Sequence, residues 1–331
     1  PMGETGRRPV RRAVMLLLWV VLCESAWAGN DVHFLIPGGA GGGWDTTARA
    51  VGTALESTGL IDRASYENRS GAGGAKGFAY MQGRRARSES ILMVTSTPIL
   101  VRTLRPEFRQ DWRQLTPVAS IIGDYGALMV RADAPWRDLR ALIGALRAAP
   151  RSVKFAGGSN RGDLDHLILA GAFKAFGVPP GEARYVPYGA GGAATLALLS
   201  GETPAMAATI GDAMGPIRDG SVRVLAIAAP QRLRQLPDVP TFSELGYPFE
   251  FLNWRGFFAV PDVDPAMLAR FETLLIELSS SAKWQQALDR HGWIPVEHRG
   301  EAFAAYLDRQ EDQILLLLDA LAAAPTSGPV R

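Results

Sequence analysis

The chain has 331 residues, a formal net charge of +2 and 47% hydrophobic residues. This length suits two globular domains. A charge so close to zero gives no electrostatic reason to bind nucleic acid or an anionic membrane surface, so we expect neither as a partner.

Residues 1–28 have the pattern of a secretory signal peptide. Four arginines precede an apolar stretch at 13–22, and Ala26-Trp27-Ala28 offers small residues at the two positions that a signal peptidase reads. The apolar stretch is about half as long as the ~20 residues needed to span a bilayer. A buried N-terminal helix and a lipoprotein signal at Cys23 are the other interpretations, and the bulky Leu22 argues against the lipoprotein signal.

Removal of this segment would change the charge balance and the cysteine content of the mature chain. Four of the 35 basic and two of the 33 acidic residues lie in it, which leaves 31 of each in the mature chain. Cys23 is the only cysteine, so residues 29–331 form neither a disulfide nor a cysteine metal site. The four histidines lack metal-ligand spacing. We therefore predict neither a metal nor a cofactor.

Short apolar runs alternate with segments of helical spacing along the mature chain. Strands are predicted at 32–36, 91–95, 127–130, 153–156, 184–186, 206–210 and 222–228. Helical patterns begin at Thr46, Leu139, Leu164, Ala193, Pro265, Ala282 and Glu301. This alternation predicts an α/β fold with mostly parallel sheets.

The first glycine-rich loop follows the first predicted strand, in the sequence PGGAGGGWD at 37–45. Glycines allow backbone N–H groups to converge on an anion, and the next helix adds the free N–H groups of its first turn. The loop has neither the lysine of a phosphate loop nor a dinucleotide fingerprint. Asp45 would repel a phosphate, whereas a carboxylate, or an amino or hydroxyl group of a ligand, is tolerated. Alternatively, these glycines form only a tight turn.

Two later loops repeat the strand, glycine and helix order. One spans 188–192, and the other contains Gly157, Gly158 and Ser159. Loops of this kind in two different domains indicate two half-sites that face each other across a cleft. We expect Gly42 and Gly191 to adopt positive φ, which a β-branched side chain excludes.

The chain resembles the substrate-binding receptors of tripartite tricarboxylate transporters, also called the Bug family. The resemblance covers essentially the whole mature chain and is carried by IPGGAGGGWD, YENRSGAGGAKG, GGSNRGDLDHL, YVPYGAGGAATLALLSGE and NWRGFFAVP. The combination of GWD at 43–45 with NWRG at 253–256 is similar to the tricarboxylate-binding branch.

The resemblance implies a periplasmic receptor with the two-domain, type II Venus-flytrap fold and a hinge. Domain 1 would comprise 29–125 and roughly 257–331, and domain 2 would comprise 126–256. The receptor would be a monomer. It would capture a di- or tricarboxylate similar to citrate and deliver it to a small and a large membrane subunit. Two alternatives remain open: a carboxylate receptor for a sensor kinase, and an envelope hydrolase.

In the family, two loops clasp the ligand carboxylates through backbone groups and ordered waters. The corresponding residues here are Pro37, Gly38, Gly39, Gly42, Gly43, Trp44 and Asp45 in the first loop, and Tyr188, Gly189, Gly191 and Gly192 in the second. Ser96, Ser159 and Thr209 are further ligand candidates because each follows a predicted strand. Ser96 can equally be a helix cap, since Pro98 stands near the first helical position.

Charged residues near these loops have two interpretations each. Lys76, Arg161 and Arg255 can bind a polycarboxylate or form ordinary ion pairs. Asp163 stands where relatives usually have a small hydroxyl residue, and it can alter the choice of ligand. His166 lies near Ser159, but the chain lacks the Gly-x-Ser-x-Gly motif of a hydrolase, so we expect a capping or interdomain role for this histidine and no catalysis.

Overall fold

The computed structural model describes residues 30–84, 89–106 and 108–322. The predicted signal peptide at 1–28 therefore lies outside the described residues. The strands are β1 (Val32–Ile36), β2 (Ala64–Asn68), β3 (Ile91–Ser96), β4 (Thr116–Arg131), β5 (Lys154–Gly157), β6 (Arg184–Pro187), β7 (Ala205–Thr209), β8 (Val222–Ile227), β9 (Leu252–Ala259) and β10 (His298–Arg299).

Helices follow most of these strands. They are α1 (Gly43–Ser57), α2 (Ala75–Gly83), α3 (Thr97–Thr103), α4 (Leu139–Ala148), α5 (Leu164–Ala175), α6 (Gly191–Ser200), α7 (Met214–Arg218), α8 (Pro265–Ser279), α9 (Ala282–His291) and α10 (Gly300–Ala322). The predicted α/β fold class is confirmed. Within the described ranges, no helix is both long enough and apolar enough to cross a bilayer.

The strands pair in the order β2-β1-β3-β9-β4-β7-β5-β6, and β8 and β10 also pair with β4. Pairs that include β4 or β9 are antiparallel, while the other strand pairs are parallel. In the register, Thr95 lies opposite Gly256 and Gly126 lies opposite Thr209. The carboxyl ends of β3 and β7 consequently reach the same central region of the molecule.

Strand β4 divides the sheet into two halves. Its residues 116–125 pair with β9, whereas residues 126–131 pair with β7 and β8. The two chain crossings meet here, because Gly126 donates to the carbonyl oxygen of Phe251 at 3.0 Å and Ala228 donates to that of Gly126 at 2.7 Å. Both crossings between the halves therefore lie side by side at Gly126.

The predicted domain limit between residues 256 and 257 falls inside β9. This strand pairs with the first half of β4 from Leu252 to Ala259 and with β3 from Arg255 to Phe258, and its side chains Trp254 and Phe258 are buried. We therefore propose that the first half comprises 30–125 and 252–322, and the second half 126–251. Helix α10 packs against β4, α3 and α5, and so contacts both halves.

Strand prediction missed the elements whose sequences are not simple apolar runs. The predicted strand at 127–130 is only the end of β4, and β2 was missed because its sequence ASYEN is polar and half-exposed at the sheet edge. The predicted helix starts at Thr46 and Ala193 are late, since α1 begins at Gly43 and α6 at Gly191. Both helices thus begin with a glycine, in addition to the glycines in the loops before them.

Candidate functional site

A cavity of about 300 Å³ lies between the two halves. The first half lines it with the first glycine loop and with side chains that follow β3 and lie on β9. The second half lines it with the loops before α5 and α6 and with residues at the end of β7. The cavity therefore lies where the carboxyl ends of strands lead into helix N-termini, the usual ligand position in α/β sheets.

The structure brings most of the predicted site residues together around this cavity. Those that line it are Gly38, Gly39, Gly42, Gly43, Trp44, Ser96, Ser159, Gly189, Gly191, Gly192 and Thr209. Three others do not line it: Pro37 is buried against Gly77, Tyr188 donates its hydroxyl hydrogen to Glu202 at 2.8 Å, and Asp45 faces the interior of the loop.

Asp45 holds the first glycine loop in place. Its carboxylate accepts hydrogen bonds from the N–H of Gly41 at 2.9 Å, from Nε of Arg49 at 3.0 Å and from Nδ2 of Asn68 at 3.0 Å. Burial alone would raise the pKa of Asp45, but these hydrogen bonds and the charge of Arg49 outweigh it and hold the pKa below its ordinary value. Groups within the protein therefore compensate the negative charge of Asp45, and its carboxyl group stays ionised.

Trp44 connects the first loop to the end of β3. Its Nε1 donates to Oγ of Ser96 at 2.8 Å, and the guanidinium of Arg102 lies 5.4 Å from its ring. Ser96 is the N-cap residue of α3, but its side chain makes no capping hydrogen bond. Of the two roles considered for Ser96, the structure therefore shows a cavity position with Trp44 as hydrogen-bond partner.

Close backbone packing explains the glycines of the second half. A Cβ added to Gly191 would lie 2.3 Å from Cγ of Asp212, and one added to Gly158 would lie 2.2 Å from the backbone nitrogen of Gly191. The expectation of positive φ at Gly42 and Gly191 is wrong, because the positive angles occur at Gly41 and Gly189 instead. Side chains are excluded at Gly158 and Gly191 by contact rather than by backbone strain.

Asp165 organises the third loop from the first turn of α5. Its Oδ2 accepts hydrogen bonds from the N–H groups of Gly158 at 2.6 Å and Ser159 at 3.0 Å, and its own N–H donates to Oγ of Ser159 at 2.8 Å. The carboxylate is buried, with 2% of the residue exposed, yet it lines the cavity. Sequence reasoning assigned Asp165 no role at this site.

His166 stabilises the turn before α5. Its Nδ1 accepts the N–H of Gly162 at 2.8 Å, and its ring stacks on Tyr185 with 4.7 Å between centroids. Burial, with a smaller contribution from Arg161, lowers the pKa of His166 to about 4, so the ring is neutral at pH 7. These contacts are the capping role that we expected for this histidine.

Of the three predicted cations, only Arg255 reaches the cavity. Its guanidinium is buried and donates to the carbonyl oxygen of Gly43 at 3.0 Å, to Oγ1 of Thr47 at 3.0 Å and to Asp124 at 3.2 Å. Lys76 and Arg161 are not among the lining residues, and Arg161 donates to the carbonyl oxygen of Tyr185 at 2.6 Å.

Arg102 is a cavity cation that sequence reasoning missed. It lies on α3 and pairs with Asp163, the N-cap residue of α5, at 3.0 Å. The pair joins the two halves at the rim of the cavity, so Asp163 contacts a lining residue and not the cavity itself. Nothing local in the sequence marks Arg102, because its position depends on how the halves meet.

Three carboxyl groups of this region have raised pKa values. Burial is the main cause at Asp124, Asp165 and Asp212, and repulsion from neighbouring carboxylates adds to it at Asp165 and Asp212. For Asp212 the pKa rises to about 6.

In the described part of the chain, no three His, Cys, Asp or Glu side chains are arranged to hold a metal ion.

The geometry favours the binding of a small anion. The helices that begin at Gly43 and Gly191 present the free N–H groups of their first turns to the cavity from opposite halves. Glycines at both starts leave these N–H groups accessible, and the guanidiniums of Arg255 and Arg102 add positive charge. A ligand between these groups is in contact with both halves at once.

Comparison with known proteins agrees with this architecture. The sequence pattern of the tripartite tricarboxylate transporter family receptor matches residues 51–318. Protein BugT of Bordetella pertussis is 30% identical over 276 residues, which cover 82% of each chain.

Two solved structures have the same fold. MatC from Rhodopseudomonas palustris, with bound malate, has a TM-score of 0.74 and 23% identity, covering 87% of this chain and 98% of that one. A second R. palustris protein, solved with adipate, has a TM-score of 0.79 and 20% identity, covering 89% and 98%. By the match over residues 51–318 and the identity with BugT, the chain belongs to the tripartite tricarboxylate transporter receptors, and it is a solute-binding receptor rather than an enzyme.

Proposed function

We propose that this receptor captures a small di- or tricarboxylate in the cavity between its halves and delivers it to a transporter with a small and a large membrane subunit. The observation that carries the proposal is the convergence of two glycine-bordered helix N-termini, those of α1 and α6, on one cavity. A carboxylate is the anion best suited to them, because the loop lacks the lysine that a phosphate loop uses.

Arg255 supports this role by its fixed position. Its hydrogen bonds to Gly43 and Thr47 hold it at the start of α1, and its ion pair with Asp124 links it to the middle of β4. A buried guanidinium held by these three contacts keeps a fixed position at the cavity that it lines and contributes positive potential there. It therefore orients a ligand carboxylate towards the first half.

Contacts across the cleft support closure around the ligand. Arg102 pairs with Asp163, and Arg105 donates to the carbonyl oxygen of Gly162 at 2.7 Å, so two residues in and beside α3 hold the loop before α5. A ligand that contacts both halves adds to these interactions and favours the closed state. Closure also excludes water, which strengthens each contact of the ligand.

The predicted signal peptide and the ligands of related structures support a periplasmic receptor for a carboxylate. The signal-peptide pattern at 1–28 supports export to the periplasm. MatC was solved with malate and the second R. palustris protein with adipate, and both ligands are dicarboxylates. These ligands support a carboxylate here, and the family supports delivery to membrane subunits.

A thermal-shift screen of the mature chain, residues 29–331, tests the proposal. The panel contains mono-, di- and tricarboxylates of increasing length, with sulfate and phosphate as inorganic anion controls. At a ligand concentration of 100 times Kd, we expect about 2.7 kcal/mol of added stability. A panel in which no carboxylate raises the melting temperature above the inorganic anions would contradict the proposed function.

A further inference from the structure

Asp124 is a buried carboxylate at the junction of the two halves. It lies in the part of β4 that pairs with β9, two residues before the crossing at Gly126, and none of its surface is exposed. Its Oδ2 accepts a hydrogen bond from Arg255 of the first half at 3.2 Å, and its Oδ1 accepts the N–H of Gly211 of the second half at 3.0 Å. One side chain therefore connects the two halves in the interior of the protein.

On the side of the first half, Arg255 connects Asp124 to the start of α1. The guanidinium donates to the carbonyl oxygen of Gly43 and to Oγ1 of Thr47, both at 3.0 Å. Gly43 is the first residue of α1 and lines the cavity. The position of this helix N-terminus thus depends on where Asp124 holds Arg255.

On the side of the second half, the turn after β7 connects Asp124 to the start of α6. The turn contains Gly211, where an added Cβ would lie 2.7 Å from Oδ2 of Asp124. The next carbonyl oxygen, that of Asp212, accepts the hydroxyl hydrogen of Thr195 on α6 at 3.0 Å. The side chain of Asp212 also lies against Gly191, the first residue of this helix. A continuous path of contacts therefore joins the two helix N-termini through Asp124.

The charge of Arg255 acts on both aspartates of this path. Burial, and then repulsion from Asp124, raise the pKa of Asp212, whereas Arg255 lowers it. Burial also raises the pKa of Asp124, and the charge of Arg255 opposes this effect. A guanidinium close to two acids favours the ionised form of each, which accepts the stronger hydrogen bonds.

Two other side-chain contacts between the halves are more exposed. Arg102 pairs with Asp163, and Arg234 pairs with Asp289, but these arginine side chains are 21% and 72% exposed. Water competes with ion pairs at such positions. The contacts of Asp124 are shielded from this competition.

We propose that Asp124 is a positioning residue that sets the spacing between the N-termini of α1 and α6, and with it the length of ligand that both helices can bind at once. This inference rests on the proposed function and adds a determinant of ligand length that is not among the residues lining the cavity. A spacing fixed by a buried side chain favours one ligand length over its neighbours.

The test measures how affinity depends on ligand length. Calorimetric titrations use the unbranched dicarboxylates from malonate to pimelate, and the tricarboxylates citrate and homocitrate, which differ by one methylene group. For the wild-type protein, we expect the best ligand to bind at least tenfold more tightly than those that are one methylene group shorter or longer.

Asp124→Asn provides the second arm of the test. The carboxamide keeps the size of the side chain and an oxygen for the N–H of Gly211, but the ion pair with Arg255 is lost. The tenfold preference for one length should fall to threefold or less, because α1 and α6 are no longer held at one spacing. A merely structural role would instead weaken the binding of all lengths by the same factor.

Gly211→Ala disturbs the same contact from the second half. Its Cβ would approach Oδ2 of Asp124, so this variant should also reduce the preference to threefold or less. Circular dichroism verifies folding, and Gly211→Ala replaces Asp124→Asn if that variant does not fold.

Glu311→Gln is the matched control. Glu311 is also a buried carboxylate that pairs with an arginine, Arg113 at 2.8 Å, but both residues belong to the first half and neither lines the cavity. This variant should keep the tenfold length preference of the wild type.

Each remaining outcome contradicts a defined part of the account. A wild-type protein that binds neighbouring lengths with equal affinity overturns the inference and leaves the proposed function intact. A folded Asp124→Asn variant that keeps the tenfold preference, or an equal loss of preference in Glu311→Gln, has the same consequence. If no member of the series, nor of the wider carboxylate panel, binds to the wild-type protein, the proposed function is wrong and the inference fails with it.

Discussion

The first turns of α1 and α5 contain aspartates in similar backbone positions but in opposite electrostatic surroundings. Asp45 and Asp165 each accept backbone N–H groups of the glycine loop before their helix. Arg49 and Asn68 also bind Asp45, and the pKa of Asp45 is lowered. Asp165 has no such partner, and its pKa is raised, mainly by burial and then by repulsion from Asp212.

The difference in hydrogen-bond partners indicates that Asp45 has a structural role, whereas the carboxyl group of Asp165 is available to a ligand. Both oxygens of Asp45 are occupied, so its loop is complete without a bound molecule. One oxygen of Asp165 has no partner, and the residue lines the cavity. The same order of strand, glycine loop and helix therefore has a fully hydrogen-bonded aspartate in the first half and an aspartate with one unpaired oxygen in the second.

The largest expected effect comes from a side chain at Gly158. Its Cβ would lie 2.2 Å from the backbone nitrogen of Gly191, so Gly158→Ala must displace the loop before α6. We expect a loss of roughly 1–3 kcal/mol of stability, as for other overpacked sites, and at least a hundredfold loss of ligand affinity. Chemical denaturation and calorimetry measure the two effects.

Gly39→Ala is the matched control in the first loop. No atom lies within 4 Å of a Cβ at Gly39, although this residue also lines the cavity. The variant should keep its stability within about 0.5 kcal/mol. Equal losses in the two variants would show that the loops of the two halves are equally tightly packed, which contradicts the comparison.

Substitution of the two aspartates by asparagine should change stability in opposite directions. Asp45→Asn removes charge-assisted hydrogen bonds and a favourable charge at the start of α1, so it should lower the stability of the ligand-free protein by about 1 kcal/mol. Asp165→Asn removes a buried carboxyl group whose raised pKa is itself a cost to folding at pH 7.5, so it should raise stability at that pH by a similar amount. Denaturant unfolding without ligand measures both, and destabilisation of both variants would contradict the account.

The pH dependence should distinguish the same two regions. The raised pKa of Asp212, about 6, means that its ionisation destabilises the folded state fully above pH 6 and that this cost declines as the pH falls from 6 to the ordinary value of 3.8. Asp212→Asn should therefore melt higher than the wild type by a few degrees at pH 7.5, and the difference should be smaller at pH 5 and vanish only as the pH falls to the ordinary value of 3.8. Comparison with the wild type at each pH removes the contribution of the histidines.

Asp45 should show no such change between pH 7.5 and pH 5. Its pKa is lowered, so its stabilising contribution is fully present above its ordinary value of 3.8 and is lost only below it. The difference in melting temperature between Asp45→Asn and the wild type should stay constant over this range. A difference in melting temperature that becomes smaller as the pH falls would show that Asp45 is not held by its hydrogen-bond partners.

The smallest effect is expected at Arg102, which connects the two regions through Trp44 and Asp163. Its side chain is partly exposed, so the ion pair contributes about 0.5–1 kcal/mol or less. Arg102→Gln should weaken ligand binding by about two- to fivefold. Arg232→Gln, which removes an exposed pair with Glu244 inside the second half, should leave affinity unchanged.

The sequence predicted the backbone features of the site better than its side chains. The glycine loops, the following helices and their place between two halves follow from local spacing and from the family resemblance. The positions of Arg102 and Asp165 depend on tertiary packing: Arg102 meets Asp163 from the other half, and Asp165 turns back to its own loop. Asp45 was misassigned because a loop sequence does not indicate which way a carboxylate points.

A crystal structure with the tightest-binding carboxylate of the screen tests the central claim most directly. The account predicts that the ligand lies in the cavity, with carboxylate oxygens within hydrogen-bond distance of N–H groups in the first turns of both α1 and α6. A ligand bound outside this cavity, or held by the groups of only one half, would contradict it.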